Sequence, residues 1–222
     1  MIFDRSEYDL LASIVFRPDY PGWKPDVKEL PNGDGKVDEK KYAHIAPKYL
    51  PGLGSGRERT LLLRALFIAH ERAERVFDEL VQDGIGFERF RPDIRYGALR
   101  VLEYAPKIGL SHPHRDFDLF TLQGYRSDPS PFKAYDRQHV PATALEIDPG
   151  LHLGELGEEI GLGKATLHEV VPSDETQFSI VYFAIPDWDA RFVEGERGGS
   201  PTVKDWLNER MARSRTAFKA YQ

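Results

Sequence analysis

Between residues 98 and 187 the chain alternates short apolar, β-branched or aromatic runs with turn residues, and this punctuation restricts the fold more than any other feature. The runs fall at 98–104, 119–122, 132–135, 143–147, 151–156, 166–171 and 178–185. Each is shorter than an ordinary helix, and their fairly even spacing predicts strands of an all-β sandwich or barrel.

The flanks have helical period. Ser55 with Glu58 three residues on reads as a capping box. Leu62, Leu66, Ala69, Ala73, Val76, Phe77 and Leu80 then recur at spacings of three and four, which makes one buried stripe. Gly84 and Gly86 are the stop signal, so a helix is predicted over 55–83. His70 lies in it as a boundary residue. Ser200-Pro201 opens a final helix over 200–220, with Val203, Trp206, Leu207, Met211 and Phe218 as its buried side. Residues 1–54, rich in Pro, Gly, Asp and Lys, read as a loop-rich lead segment with a short helix or strand at Ser6 to Val15. Turns are predicted from Arg17 to Lys36. Asn32 to Asp38 lacks the ligand spacing and closing glutamate of a calcium loop and reads as a solvated turn. With no repeat and no interdomain linker, residues 1–222 are predicted to form a single domain.

Composition removes several function classes. The chain has no cysteine, which excludes disulfides, thiolate-bound zinc, iron–sulfur clusters and a cysteine nucleophile. The net charge of −6 is spread without a basic run, so nucleic acid is not an expected partner. No stretch reaches the ~20 apolar residues of a membrane span, and Met1 to Glu7 does not open a signal peptide. A cytoplasmic protein with no membrane partner is the expectation.

The candidate chemistry lies at His114-Arg115-Asp116 and at His168. On a strand, residues 114 and 116 would point to one face. Two imidazoles and one carboxylate are the ligand set of the facial triad that binds non-haem Fe(II) and leaves coordination positions open. His-x-Asp alone also fits a surface pair or a simple hydrogen bond. The apolar run that follows it, and the apolar strand around His168, favour the metal reading.

Several segments, taken together, resemble a family. Leu99-Arg100-Val101-Leu102-Glu103-Tyr104-Ala105-Pro106 is followed by His114-Arg115-Asp116-Phe117-Asp118-Leu119-Phe120-Thr121-Leu122. Further on come Pro149-Gly150-Leu151-His152-Leu153-Gly154-Glu155-Leu156, Leu167-His168-Glu169-Val170-Val171 and Gln177-Phe178-Ser179. In this order they resemble the core of the 2-oxoglutarate- and Fe(II)-dependent oxygenases, and in pattern the isopenicillin N synthase-like group, over residues 98–187. The resemblance implies a double-stranded β-helix (jelly roll), mainly β with flanking helices. It implies iron on His114, Asp116 and His168, and 2-oxoglutarate near Tyr104, Gln177 and Ser179.

Two positions depart from that pattern. Gln177 stands where the family has the arginine that pairs with the distal carboxylate of 2-oxoglutarate. An amide offers one neutral donor face where a guanidinium makes a charged, two-pronged clamp. Arg100, Arg115, Arg126 and Lys164 are the candidates to replace it. Glu169 stands where the group has arginine, and would face away if His168 faces inward. Among the other histidines, His112 is a spare near His114, His139 lies in a loop, and His152 points into the barrel or toward water.

The expected function is an iron oxygenase that hydroxylates or desaturates a small molecule with O₂ and 2-oxoglutarate. Two alternatives stay open. One is an oxidase of the isopenicillin N synthase type that needs no keto acid, which the loss of the clamp favours. The other is a jelly-roll binding protein without catalysis.

Overall fold

The computed structural model describes residues 2–23, 38–81, 86–135, 137–192 and 201–213. Its strands in chain order are β1 Lys41–Ile45, β2 Ala98–Tyr104, β3 Ser111–His114, β4 Phe120–Arg126, β5 Phe132–Ala134, β6 His152–Leu153, β7 His168–Val170 and β8 Gln177–Ala184. They form a five-stranded sheet, β1-β2-β8-β4-β6, and a three-stranded sheet, β3-β7-β5, with every pairing antiparallel. From β2 to β8 the chain passes alternately from the large sheet to the small one. That winding is the double-stranded β-helix expected from the sequence.

β8 shows why the large sheet is buried on both sides. Its outer residues Phe178, Ile180, Tyr182 and Ala184 join the main core. That core is closed by α1 (Arg5–Val15) and α2 (Gly56–Val81), whose stripe from Leu62 to Leu80 is buried throughout. Val181 and Phe183 point the other way. There they meet Tyr42, Leu102, Tyr104, Phe132 and Val170 in a smaller cluster between the two sheets. In α2 the Ser55 hydroxyl accepts the Glu58 N–H, as a cap should. The Glu58 carboxylate, however, makes a two-pronged pair with Arg17 at 2.8 and 3.0 Å.

Several expectations need correction. Residues 143–147 do not form a strand: Ala142–Ile147 is a helix, α3, packed on α2. Pro141 stands at its start, and Ala, Leu and Glu outweigh the β-branched Thr143 and Ile147. Residues 151–156 give only the two-residue β6 before α4 (Glu155–Glu159). The loop-rich lead segment contains α1, fixed by an Asp4–Glu7 capping box, and the strand β1. The last helix, α5, runs Val203–Arg213 and is capped by Thr202 and Asp205, each side chain accepting the other's backbone N–H. Val203, Trp206 and Leu207 are buried in the core as expected. Ser200, Phe218, Gly84 and the turns of residues 24–37 lie outside the described residues. No helix among the described residues is long and apolar enough to cross a membrane.

Candidate metal centre

His114 ends β3 and His168 begins β7, and the two are Cα partners across the small sheet. Their ring centroids are 4.3 Å apart. Asp116 is not on the strand: β3 stops at His114, and the turn that follows carries the carboxylate to the two imidazoles. Oδ1 of Asp116 lies 3.6 Å from Nε2 of His114, and Oδ2 lies 3.7 Å from Nε2 of His168. His114, Asp116 and His168 each offer one ligand atom, and the three atoms lie within 4.8 Å of one another.

Each imidazole is oriented by the same local device. Nδ1 of His114 contacts the carbonyl of His112 at 2.7 Å, and Nδ1 of His168 contacts that of Thr166 at 3.2 Å. A carbonyl only accepts, so each Nδ1 carries the proton and each Nε2 keeps its lone pair. The His112 carbonyl is itself steadied from below. The buried Asp38 carboxylate accepts the His112 N–H at 2.8 Å, the Ser111 hydroxyl at 2.8 Å and the Lys40 ammonium at 2.7 Å.

A third histidine completes the ring around Asp116. His152 on β6 is buried, its Nδ1 contacts the Gly150 carbonyl at 3.1 Å, and its Nε2 lies 3.1 Å from Oδ2 of Asp116. Its ring is 4.3 Å from that of His168. The Thr121 hydroxyl also contacts this oxygen, at 2.6 Å, and Oδ2 of Asp118 at 2.9 Å. The sequence leaves His152 between barrel and water and does not single out Thr121. Alternation with Leu151 and Leu153 is the signal for the first; the second needs the pairing of β4 with β6, which places Thr121 opposite His152.

The electrostatics suit a cation. Burial raises the Asp116 carboxyl, but the proximity of His168 and contacts with His114 and His152 outweigh it and hold its pKa well below the ordinary value. Burial, followed by the proximity of His152 and His114, drives His168 well below its own ordinary value. Asp118 goes the other way, raised well above the usual range by burial and by the Asp116 charge. Metal bonds of about 2.0–2.2 Å place ligands at right angles about 3 Å apart, close to the spacing already present. The donor set and its geometry therefore fit a divalent first-row metal such as Fe(II).

Beyond the metal cluster, the inner face of the large sheet carries Tyr104, Gln177 and Ser179. Tyr104 is the Cα partner of Gln177, and Leu102 of Ser179. The Gln177 amide is committed elsewhere: its Oε1 accepts the Ser127 hydroxyl at 3.1 Å and its Nε2 donates to Ser173 at 3.2 Å. Ser179 Oγ accepts Nε2 of Gln123 at 2.8 Å, which leaves its own hydrogen to donate. Burial raises the Tyr104 phenol above its ordinary pKa, opposed by the charges of Lys40 and Arg126.

The sequence matches no protein-family model and no curated protein. Solved structures do match. A full-length Neurospora crassa protein in complex with α-KG superposes with a TM-score of 0.65 at 15% identity, over 96% of this chain and 83% of that one. A Shewanella oneidensis protein described as an oxygenase gives a TM-score of 0.62 at 17% identity, over 96% and 87%. A Caulobacter crescentus protein described as of the 2OG-Fe(II) oxygenase family gives 0.62 at 15%, over 93% and 84%. At such identities the likeness is one of fold: this chain has the jelly roll of those oxygenases.

Proposed function

We propose that the protein is a non-haem Fe(II)- and 2-oxoglutarate-dependent oxygenase that hydroxylates or desaturates a small molecule. The observation that carries this reading is the oriented cluster of His114, Asp116 and His168, which presents two imidazole lone pairs and one carboxylate toward one point at the edge of the barrel. The likeness in fold to structures that hold α-KG supports it. When bound, the metal and keto acid supply the electrons that activate O₂; in hydroxylation one oxygen atom leaves in succinate and the other in the product.

The chain's own residues hold and shield that site. His114 and His168 give Nε2 to the metal, and Asp116 gives one oxygen. Thr121 donates its hydroxyl hydrogen to the other oxygen, Oδ2, with Nε2 of His152 packed 3.1 Å from it, and so fixes the tilt of the carboxylate. Phe132 packs its ring 5.6 Å from that of His168 and 5.7 Å from that of His152, and keeps water from one side. Ser179 and Tyr104 belong to the wall where the keto acid lies. The isopenicillin N synthase-like subgroup and a cytoplasmic location remain part of this proposal.

A second reading, the oxidase that needs no keto acid, is favoured by one observation: Gln177 is tied to Ser127 and Ser173. Anaerobic titration with Fe(II) and then 2-oxoglutarate separates the readings. One metal per chain, a visible charge-transfer band on adding the keto acid, and succinate formed under O₂ are expected. Metal binding with O₂ consumption but no keto-acid requirement would establish the oxidase. Failure to bind any divalent metal would leave a jelly-roll binding protein.

A further inference from the structure

A half-buried guanidinium lies on the inner wall of the barrel without a carboxylate partner among the described residues. Arg126 ends β4, which has an irregular register between Gln123 and Tyr125. Gln123 pairs with Val181, Tyr125 with Ile180 and Arg126 with Ser179. Val181 lies in the cluster between the sheets and Ile180 in the outer core. The bulge at Gly124 thus inserts one residue, sends Tyr125 outward and returns Arg126 to the inner face. In a regular strand, Gln123 and Arg126 would face opposite ways.

The fork of Arg126 is already oriented. Nε and Nη2 both donate to Oε1 of Gln123, at 3.2 and 2.6 Å, and the guanidinium lies 4.3 Å from the centroid of the Phe132 ring. Gln123 in turn donates to Ser179. Burial lowers the Arg126 pKa to about 10, against the charges of Tyr104 and Asp128. Asp128 is engaged with the N–H and hydroxyl of Ser130, so one neutral partner, Gln123, and a ring are what hold the cation. A partly desolvated arginine without an anionic partner is a receptor for a carboxylate.

The other basic candidates are placed differently. Arg100 sits over the Tyr42 and Phe183 rings and donates to His44, Arg115 donates to the Ala165 carbonyl, and Lys164 is exposed. Phe132 bridges Arg126 to the metal cluster, so the guanidinium lies within about 10 Å of the His168 ring. A five-carbon keto diacid spans about 5 Å between its end carbons, and a metal bond of about 2 Å and a hydrogen bond of about 3 Å complete the distance.

Resting on the reading of the preceding subsection, we propose that Arg126, with Ser179 and Tyr104 beside it, receives the distal carboxylate of 2-oxoglutarate, so that the clamp stands on β4 and not at position 177 of β8. Gln177 is then free to brace the start of β8 through Ser127 and Ser173.

The test is binding, read anaerobically on the Fe(II)-loaded protein by calorimetry and by the charge-transfer band. The ligands are 2-oxoglutarate and 2-oxovalerate, which has the same carbon chain without the distal carboxylate. The wild-type protein is expected to prefer 2-oxoglutarate about 100-fold. Arg126→Gln should erase that preference while leaving metal affinity and 2-oxovalerate binding unchanged. Arg126→Lys, which keeps the charge and so the fold, should retain a part of it. The double variant Arg126→Gln/Gln177→Arg should recover it in part by restoring a guanidinium on the neighbouring strand. An unchanged preference in Arg126→Gln or an equal affinity of the wild type for both keto acids overturns the clamp alone. No binding of either keto acid to the metal-loaded wild type overturns the cosubstrate reading itself.

Discussion

His114 and His168 face each other directly across β3 and β7, with ring centroids 4.3 Å apart. A metal on both therefore cross-links the small sheet at the point where β3 gives way to the turn bearing Asp116. Binding to the folded state alone stabilises it by mass action, about 2.7 kcal/mol at a hundredfold excess over Kd. For a chain of this size that is a rise in Tm of roughly 5–10 °C. Fe(II) or Mn(II) under argon should give this shift in a thermal melt. Asp116→Ala should abolish both the shift and stoichiometric metal binding; a variant that kept both would remove Asp116 from the ligand set.

Thr121 contacts Asp116 and Asp118 with one hydroxyl. Thr121→Val keeps the shape and deletes the hydrogen bond, which frees the Asp116 carboxylate to rotate. Outer contacts of this kind contribute about 10–100-fold to metal affinity. A fall of that size, measured by competition with a chelator, is expected with the fold intact. An unchanged affinity would mean that His152 alone sets the carboxylate.

How far the sequence reaches is clear at particular residues. β2 is legible as a short apolar run bounded by turn residues and α2 by one unbroken helical period, and the candidate ligands because His-x-Asp and His168 stand in apolar surroundings. β1 is hidden because its five residues lie in a segment dominated by Pro, Gly and Asp. α3 reads as a strand because its six residues do not separate a helical period from an alternating one. Asp116 reaches His114 and His168 through a turn, so the three side chains come together, but not by the shared strand face that the sequence predicts. Arg126 cannot be chosen among four basic residues without the bulge, since regular alternation puts it on the opposite face from Gln123.

His70 supplies a pH dependence away from the metal cluster. Its Nδ1 contacts the Tyr182 hydroxyl at 3.0 Å, and burial lowers its pKa below the ordinary 6.5. As pH falls through 6.5 the unfolded chain takes up a proton that the folded chain refuses. Stability is then lost progressively down to the folded-state pKa, and above the ordinary value the residue contributes no slope. Buried acids with raised pKa values, Asp148 and Glu155 among them, work in the opposite sense, so the informative quantity is a difference. His70→Gln should be relatively more stable than wild type at about pH 5 than at about pH 7.5 in urea titrations. Parallel profiles would show that the imidazole titrates freely in the native state.

Two glycines make a controlled pair for the shelf beneath the candidate metal ligands. A Cβ at Gly154 would lie 2.1 Å from the Asp118 carbonyl oxygen and 2.2 Å from Oδ1 of Asp118. That carbonyl accepts the N–H of Leu156 and of Gly157, so the backbone there is held from both sides and has little room to retreat. Gly154→Ala is therefore expected to cost about 1–3 kcal/mol by overpacking. Because it pushes on Asp118, it should also weaken metal binding through Thr121. Gly56, in the first turn of α2, meets nothing within 4 Å. Gly56→Ala should be neutral or add about 0.4–1 kcal/mol by restricting the unfolded chain. Urea midpoints for the two variants, each with and without metal, check both signs. Equal midpoints would show that the loop from Asp118 to Gly154 yields where the geometry has it pinned.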